Sequence, residues 1–151
     1  MKSGNEYGQP DAEDAKVAQK KQKEQPGIEN DFSHEIIGAA VEVQRVLGVG
    51  LLESAYAAAF AVELQQRGLR FEREIAICGK YKGEEIGVAY RADFIVEHSV
   101  IVELKAVESV PDLHRAQLLS YLRLSGLKLG LLINFHVFPV VKGIQRMVNK
   151  L

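Results

Sequence analysis

A chain of 151 residues, 47% of them hydrophobic, is long enough for one domain with a sizeable core. Nineteen basic residues offset twenty acidic ones, so no global charge marks it as a binder of nucleic acid or of anionic membranes. The lone cysteine, Cys78, excludes an internal disulfide framework and a cysteine-rich zinc site. With no signal-type apolar segment and no long apolar span, a cytoplasmic protein without membrane contact is expected.

Residues 1–31 are different material from the rest. Lys, Glu, Gln and Asp dominate, large apolar side chains are scarce, and Pro26-Gly27 closes the segment. Such a composition cannot offset its own ordering entropy. Residues 1–31 therefore read as a disordered or loosely helical charged tail, and 32–151 as the folded domain. The domain opens on a helix, because Ile36, Ala40, Val43 and Leu47 recur at helical spacing. Asp31 or Ser33 can cap it, and Gly48-Val49-Gly50 ends it. A second helix is predicted from about Leu52 to Arg67, with Gly68 as its stop.

Strands follow over 73–81, over 86–96 after a Lys82-Gly83 turn, and over 100–105. Cys78 falls in the first of them and is expected as a small core residue. Pro111 suits the first turn of a third helix that reaches about Ser125 and stops at Gly126. The unbroken apolar run 129–135 reads as a buried central strand, and 143–148 as a short edge strand. The order α-α-β-β-β-α-β-β implies an α/β fold with a mixed central sheet flanked by helices. From residue 101 to the end there are seven Lys/Arg against three acids, a local excess of four that hints at an anionic partner.

The chemistry is concentrated in residues 91–105, "RADFIVEHSVIVELK". On a strand, Ile101, Glu103 and Lys105 share one face, while Val102 and Leu104 share the other. A two-residue loop at His98-Ser99 would set Asp93 against Leu104, among aliphatics. A three-residue loop, Glu97-His98-Ser99, sets Val96 against Val100, Phe94 against Val102 and Asp93 against Glu103. That register stacks apolar on apolar and is the one expected. Two carboxylates so placed repel, and a divalent cation relieves the conflict. Hard oxygen ligands suit Mg²⁺ or Mn²⁺, and Lys105 beside them can hold a water or steady charge on a phosphate. The hairpin alone also permits a plain Asp93–Lys105 ion pair at a sheet end, with Glu103 in solvent.

Asp93, Glu103 and Lys105 in this order resemble the D…E-x-K core of the PD-(D/E)XK nuclease superfamily. Upstream, "GLLESAY", with Gly50, Glu53 and Tyr56, is similar to the signature of the GxxExxY family, a small branch of that superfamily. Downstream, residues 116–135 resemble the stretch that this family carries after its E-x-K strand. The resemblance covers about Phe32 to the C-terminus.

It implies a restriction-endonuclease-like fold and metal-dependent phosphodiester hydrolysis of nucleic acid, with DNA the expected substrate and an exonuclease-like action. Mg²⁺ or Mn²⁺ would be held by Asp93, Glu103 and the Leu104 carbonyl. Glu53, in the first turn of its helix, would approach as a third carboxylate. Lys105 would orient the attacking water. Gln117 and Tyr121, four apart and so on one helix face, match the Q-x-x-x-Y element beside the catalytic centre and the DNA backbone; otherwise they form a buried polar pair. Tyr56 reads equally as a core residue. Gln44 is a departure, since histidine is implied there. His34, His98, His114 and His136 have no metal-ligand spacing; His114 alone could face the site, and the others suit surface or loop positions. The rival is a catalytically silent nucleic-acid-binding or assembly subunit that keeps the fold. A homo-oligomer is compatible with either.

Overall fold

A computed structural model describes residues 31–150. Of the tail expected over 1–31, all but Asp31 therefore lies outside the described residues. Helix α1 spans Ser33–Leu47 and α2 Glu53–Gln66; strands β1 (Phe71–Tyr81), β2 (Glu84–Val96) and β3 (Val100–Lys105) follow. Helix α3 (Asp112–Ser125) then leads to β4 (Leu129–Asn134), a 3₁₀ turn (Val140–Gly143) and β5 (Ile144–Val148). The five strands form one mixed sheet in sequence order, antiparallel except for the β3–β4 pair. This is the α/β, restriction-endonuclease-like architecture that was expected, with helices on both faces of the sheet.

Each face has its own core. Under α1 and α2, Ile36, Ala40, Val43, Tyr56, Phe60 and Leu64 pack on Phe94, Val96, Val102, Leu104 and Ile133. Under α3, Leu118 and Leu122 pack on Ile77, Ala92, Ile101 and Leu132. Strand β4 is buried at every position, as its unbroken apolar run predicts. Gly130 is what lets α3 lie close, since a Cβ there would meet three Leu118 carbons at 3.0–3.1 Å. Strand β5 pairs with β4 alone, at the sheet edge.

The start of the domain is tied down by Asp31, one residue before Phe32, which holds the N-cap position of α1. Asp31 Oδ1 accepts the Ser33 N–H at 3.0 Å, and Oδ2 pairs with Arg146 of β5. Partial burial would raise the Asp31 carboxyl, but Ser33 and Arg146 together hold it down at about 2. Pro111 immediately precedes α3 rather than lying in its first turn; its extended backbone, ψ 148°, makes it the last non-helical residue. Leu47 ends α1 exposed, beyond the reach of the core.

Cys78 is a correction. It is exposed, because the β1–β2 hairpin outruns the sheet. β3 pairs only with Phe94, Ile95 and Val96 of β2, so the distal arm has no third strand beside it. A register shift between Ile77 and Cys78 resets the alternation just there. Ile86 and Val88 in the same arm are exposed for the same reason.

Gln44 is buried in α1 and anchors the segment after β4. Its Nε2 donates to the Phe135 and Val137 carbonyls at 3.1 and 2.7 Å, and its Oε1 accepts the Val140 N–H at 2.7 Å. Three backbone groups lose their partner if this amide is removed. Gln44→Leu should therefore destabilise the protein by about 3 kcal/mol, read as a lowered denaturant midpoint at unchanged slope. A midpoint within error of wild type would show that these contacts are dispensable.

Candidate active site

The site begins where β2 and β3 part. Their ladder runs through Val96–Val100, Ile95–Ile101 and Phe94–Val102, the register of the three-residue loop. One step further the backbone bonding gives way to side chains. The Asp93 N–H donates to Glu103 Oε1 at 3.1 Å, and the Leu104 N–H donates to Asp93 Oδ2 at 2.9 Å. Each carboxylate thus replaces a ladder carbonyl, and the two acids are held side by side.

A local kink in the hairpin accompanies this. Ala92 packs under α3, whereas Phe94, only two residues on, packs under α1 and α2. Opposite, on β1, Glu74 has a positive φ of 53° and interrupts the pairing between Arg73 and Ile75. Simple alternation is therefore broken at Asp93 itself.

The electrostatics follow from burial. Glu103 is only 6% exposed; desolvation, and then the Asp93 charge, push its carboxyl up to about 8. The Asp93–Lys105 ion pair with a solvated Glu103 is not what forms: Glu103 is the buried member, and Lys105 makes no salt bridge among the described residues. A buried carboxyl forced against a second one offers two hard oxygen donors, and a divalent cation would remove their repulsion.

Glu53 projects from the exposed start of α2. Partial burial raises its carboxyl, Lys105 lowers it, and Asp93 and Glu74 raise it further, so all four groups share one electrostatic environment. It does not join a contact cluster with Asp93 and Glu103. Among the described residues no three His, Cys, Asp or Glu side chains are gathered closely enough to hold a metal.

The rest of the 50–56 segment explains how Glu53 is presented. Gly50 has φ 95°, open to glycine at little cost. The Tyr56 hydroxyl donates to the Gly48 carbonyl at 2.7 Å and accepts the Leu51 N–H at 3.2 Å. Its ring stacks on Phe135 with centroids 4.7 Å apart. Tyr56 is therefore a core residue that fixes the turn before Glu53. Gln44 turns to the 135–140 backbone, as described above, and not to the acids.

On α3, Gln117 and Tyr121 are each half-buried, but they are not a polar pair. Gln117 makes no hydrogen bond to a described residue, while the Tyr121 ring stacks nearly parallel, at 9°, on Tyr90. His114, on the same helix, has a buried Nδ1 with no hydrogen-bond partner among the described residues. His34, His98 and His136 are exposed.

Two residues escaped the sequence reading. Tyr90, on β2, lies beside Glu103, which raises its phenol after desolvation does. Its signal was a tyrosine three residues before Asp93 on an otherwise solvated arm. Asn134, 3% exposed at the end of β4, sits opposite Lys105. Its Nδ2 donates to the Val107 carbonyl at 2.8 Å, and its Oδ1 accepts the Val107 and His136 N–H groups at 3.1 and 3.2 Å. Its signal was a polar residue inside the apolar run 129–135.

The Glu103 shift has a definite sign. Its carboxyl goes from an ordinary 4.5 to about 8 in the fold, so the fold binds more protons than the unfolded chain between those values. The stability that depends on a neutral Glu103 is full below pH 4.5 and is lost as pH rises through about 8. Melts of metal-free protein should show this decline, and Glu103→Gln should flatten it. Equal slopes for the two proteins would mean that Glu103 does not titrate there.

Neither the curated proteins nor the solved structures give a match to this chain. A family model, described as the PD-(D/E)XK nuclease superfamily, matches residues 30–147 and so runs from the start of α1 into β5. That span contains the paired acids on the parting strands, Lys105 beside them, and the helix that covers them. The chain belongs to the PD-(D/E)XK nuclease superfamily, which gives it a nuclease-type function acting on nucleic acid.

Proposed function

We propose that this protein is a Mg²⁺- or Mn²⁺-dependent DNA nuclease of the GxxExxY branch, exonuclease-like in action. The observation that carries the proposal is the Asp93–Glu103 pair, bonded to each other's strand where β2 and β3 separate. Asp93, Glu103 and the Leu104 carbonyl would hold the ion. What a divalent ion supplies when bound is charge neutralisation and Lewis-acid polarisation of the scissile phosphate.

The chain's own residues would do the remainder. Lys105, on the Glu103 face of β3 and without a salt bridge among the described residues, orients the attacking water and offsets charge on the phosphate. Glu53, coupled electrostatically to both Lys105 and Asp93, supports the centre from the other helical layer. It acts on the water and on Lys105 from the exposed end of α2, and can reach the ion through a water. Gln117, half-buried on α3 and without a hydrogen bond to a described residue, would hold the DNA backbone. The Tyr121 hydroxyl would stand near the scissile strand while its ring rests on Tyr90.

Lys105→Ala should lower Mn²⁺-dependent cleavage roughly 10²-fold or more, because a charge preorganised for the transition state is lost. Gln117→Ala and Tyr121→Phe should each weaken cleavage or DNA binding with stability within about 1 kcal/mol of wild type. All three variants are assayed for melting and cleavage on the same preparation. Equal cleavage by wild type and Lys105→Ala would point to a contaminating nuclease. A wild-type protein that binds Mn²⁺ and DNA without cutting would instead be a silent binding or assembly subunit.

A further inference from the structure

The buried Tyr90 hydroxyl has no place in the mechanism above. Tyr90 lies on β2 opposite Ile77 of β1 and packs with Ala92 and Ile101 under α3. Glu103 is on that same face, two residues along β3 from Ile101. The hydroxyl is buried and has no well-formed hydrogen bond to another described residue, although the Glu103 carboxyl is near enough to interact with it. Burying a phenol O–H without a partner is unfavourable by about 1–3 kcal/mol, so the group calls for an explanation, and a role at a functional site is one.

Glu103 is the acceptor at hand. Its Oε1 already takes the Asp93 N–H at 3.1 Å, which leaves lone pairs on the carboxylate that can rotate. A donor on the Tyr90 side would stop that rotation without adding charge. The Tyr121 ring, stacked nearly parallel on Tyr90, fixes where the phenol can point.

We propose that Tyr90 is a positioning residue for Glu103, donating its O–H to the carboxylate and held in place by the stacked Tyr121 ring. This rests on the metal-centre reading given above. It adds a mechanical link, because the helix that would meet DNA through Gln117 and Tyr121 also braces a ligand of the ion. Partners that orient a ligating carboxylate normally raise metal affinity, and their loss weakens it about tenfold to a hundredfold.

The test is calorimetric titration of the full chain with Mn²⁺ alone, beside a thermal melt of each variant. Tyr90→Phe keeps the ring and the stack and removes only the hydroxyl. It should raise the Mn²⁺ Kd about tenfold or more with a melting temperature no lower than that of wild type. Should that variant not fold, Tyr121→Leu removes the brace while leaving the Tyr90 hydroxyl and both acids; it too should raise the Kd. An unchanged Mn²⁺ Kd in the folded variant overturns the inference, whether or not the melt moves. If wild type itself takes up no Mn²⁺, the centre is refuted, and the role of Tyr90 falls with it.

Discussion

The structure turns on one exchange of hydrogen bonds. At the point where β2 and β3 stop pairing, the Asp93 N–H goes to the Glu103 carboxylate and the Leu104 N–H goes to Asp93. A continued ladder would have bonded these amides to backbone carbonyls instead. Here the side chains satisfy the amides, and the strands can separate without orphaned donors. The same exchange pins two carboxyl groups together in a partly dry place. Their mutual repulsion is then built into the fold, and it raises Glu103 in addition to desolvation.

Such an arrangement needs a rigid frame, and three buried polar side chains supply it from different elements. Tyr56 closes the turn between α1 and α2 that presents Glu53. Gln44 binds the segment after β4 to α1. Asn134 fastens the chain that leaves β3 after Lys105. Each is fully engaged with backbone, so each fixes a loop that a purely apolar core would leave loose. The close seat of Leu118 over Gly130 sets how near α3 can approach. The frame thus surrounds the acids on both faces of the sheet.

Much of this was legible in the sequence because apolar patterning is a strong constraint. Only one loop length stacks Phe94 on Val102 and Val96 on Val100, and that register brings Asp93 to Glu103. The element order and the mixed sheet followed from periodicity and turn residues alone. Alternation failed where the pleat is not uniform. It could not show the kink at Asp93, nor that the β1–β2 arm outruns its partners and leaves Cys78 in solvent. Buried polar residues were the other blind spot. Gln44 looked like a gap in a catalytic pattern, yet it is a structural clamp. Tyr90 and Asn134 carry no mark in the sequence, because a single polar residue in a strand has no periodic signature until its neighbours in space are known.

The central claim is that Asp93 and Glu103 form a divalent-metal centre. Crystals of the protein soaked in Mn²⁺ test it most directly, with anomalous scattering used to place the ion. The account predicts one Mn²⁺ bound by both carboxylates, with the Leu104 carbonyl at about 2.0–2.2 Å, as expected for a small hard divalent cation. Fully soaked crystals with no anomalous peak between Asp93 and Glu103, or with Mn²⁺ held only elsewhere, would contradict it.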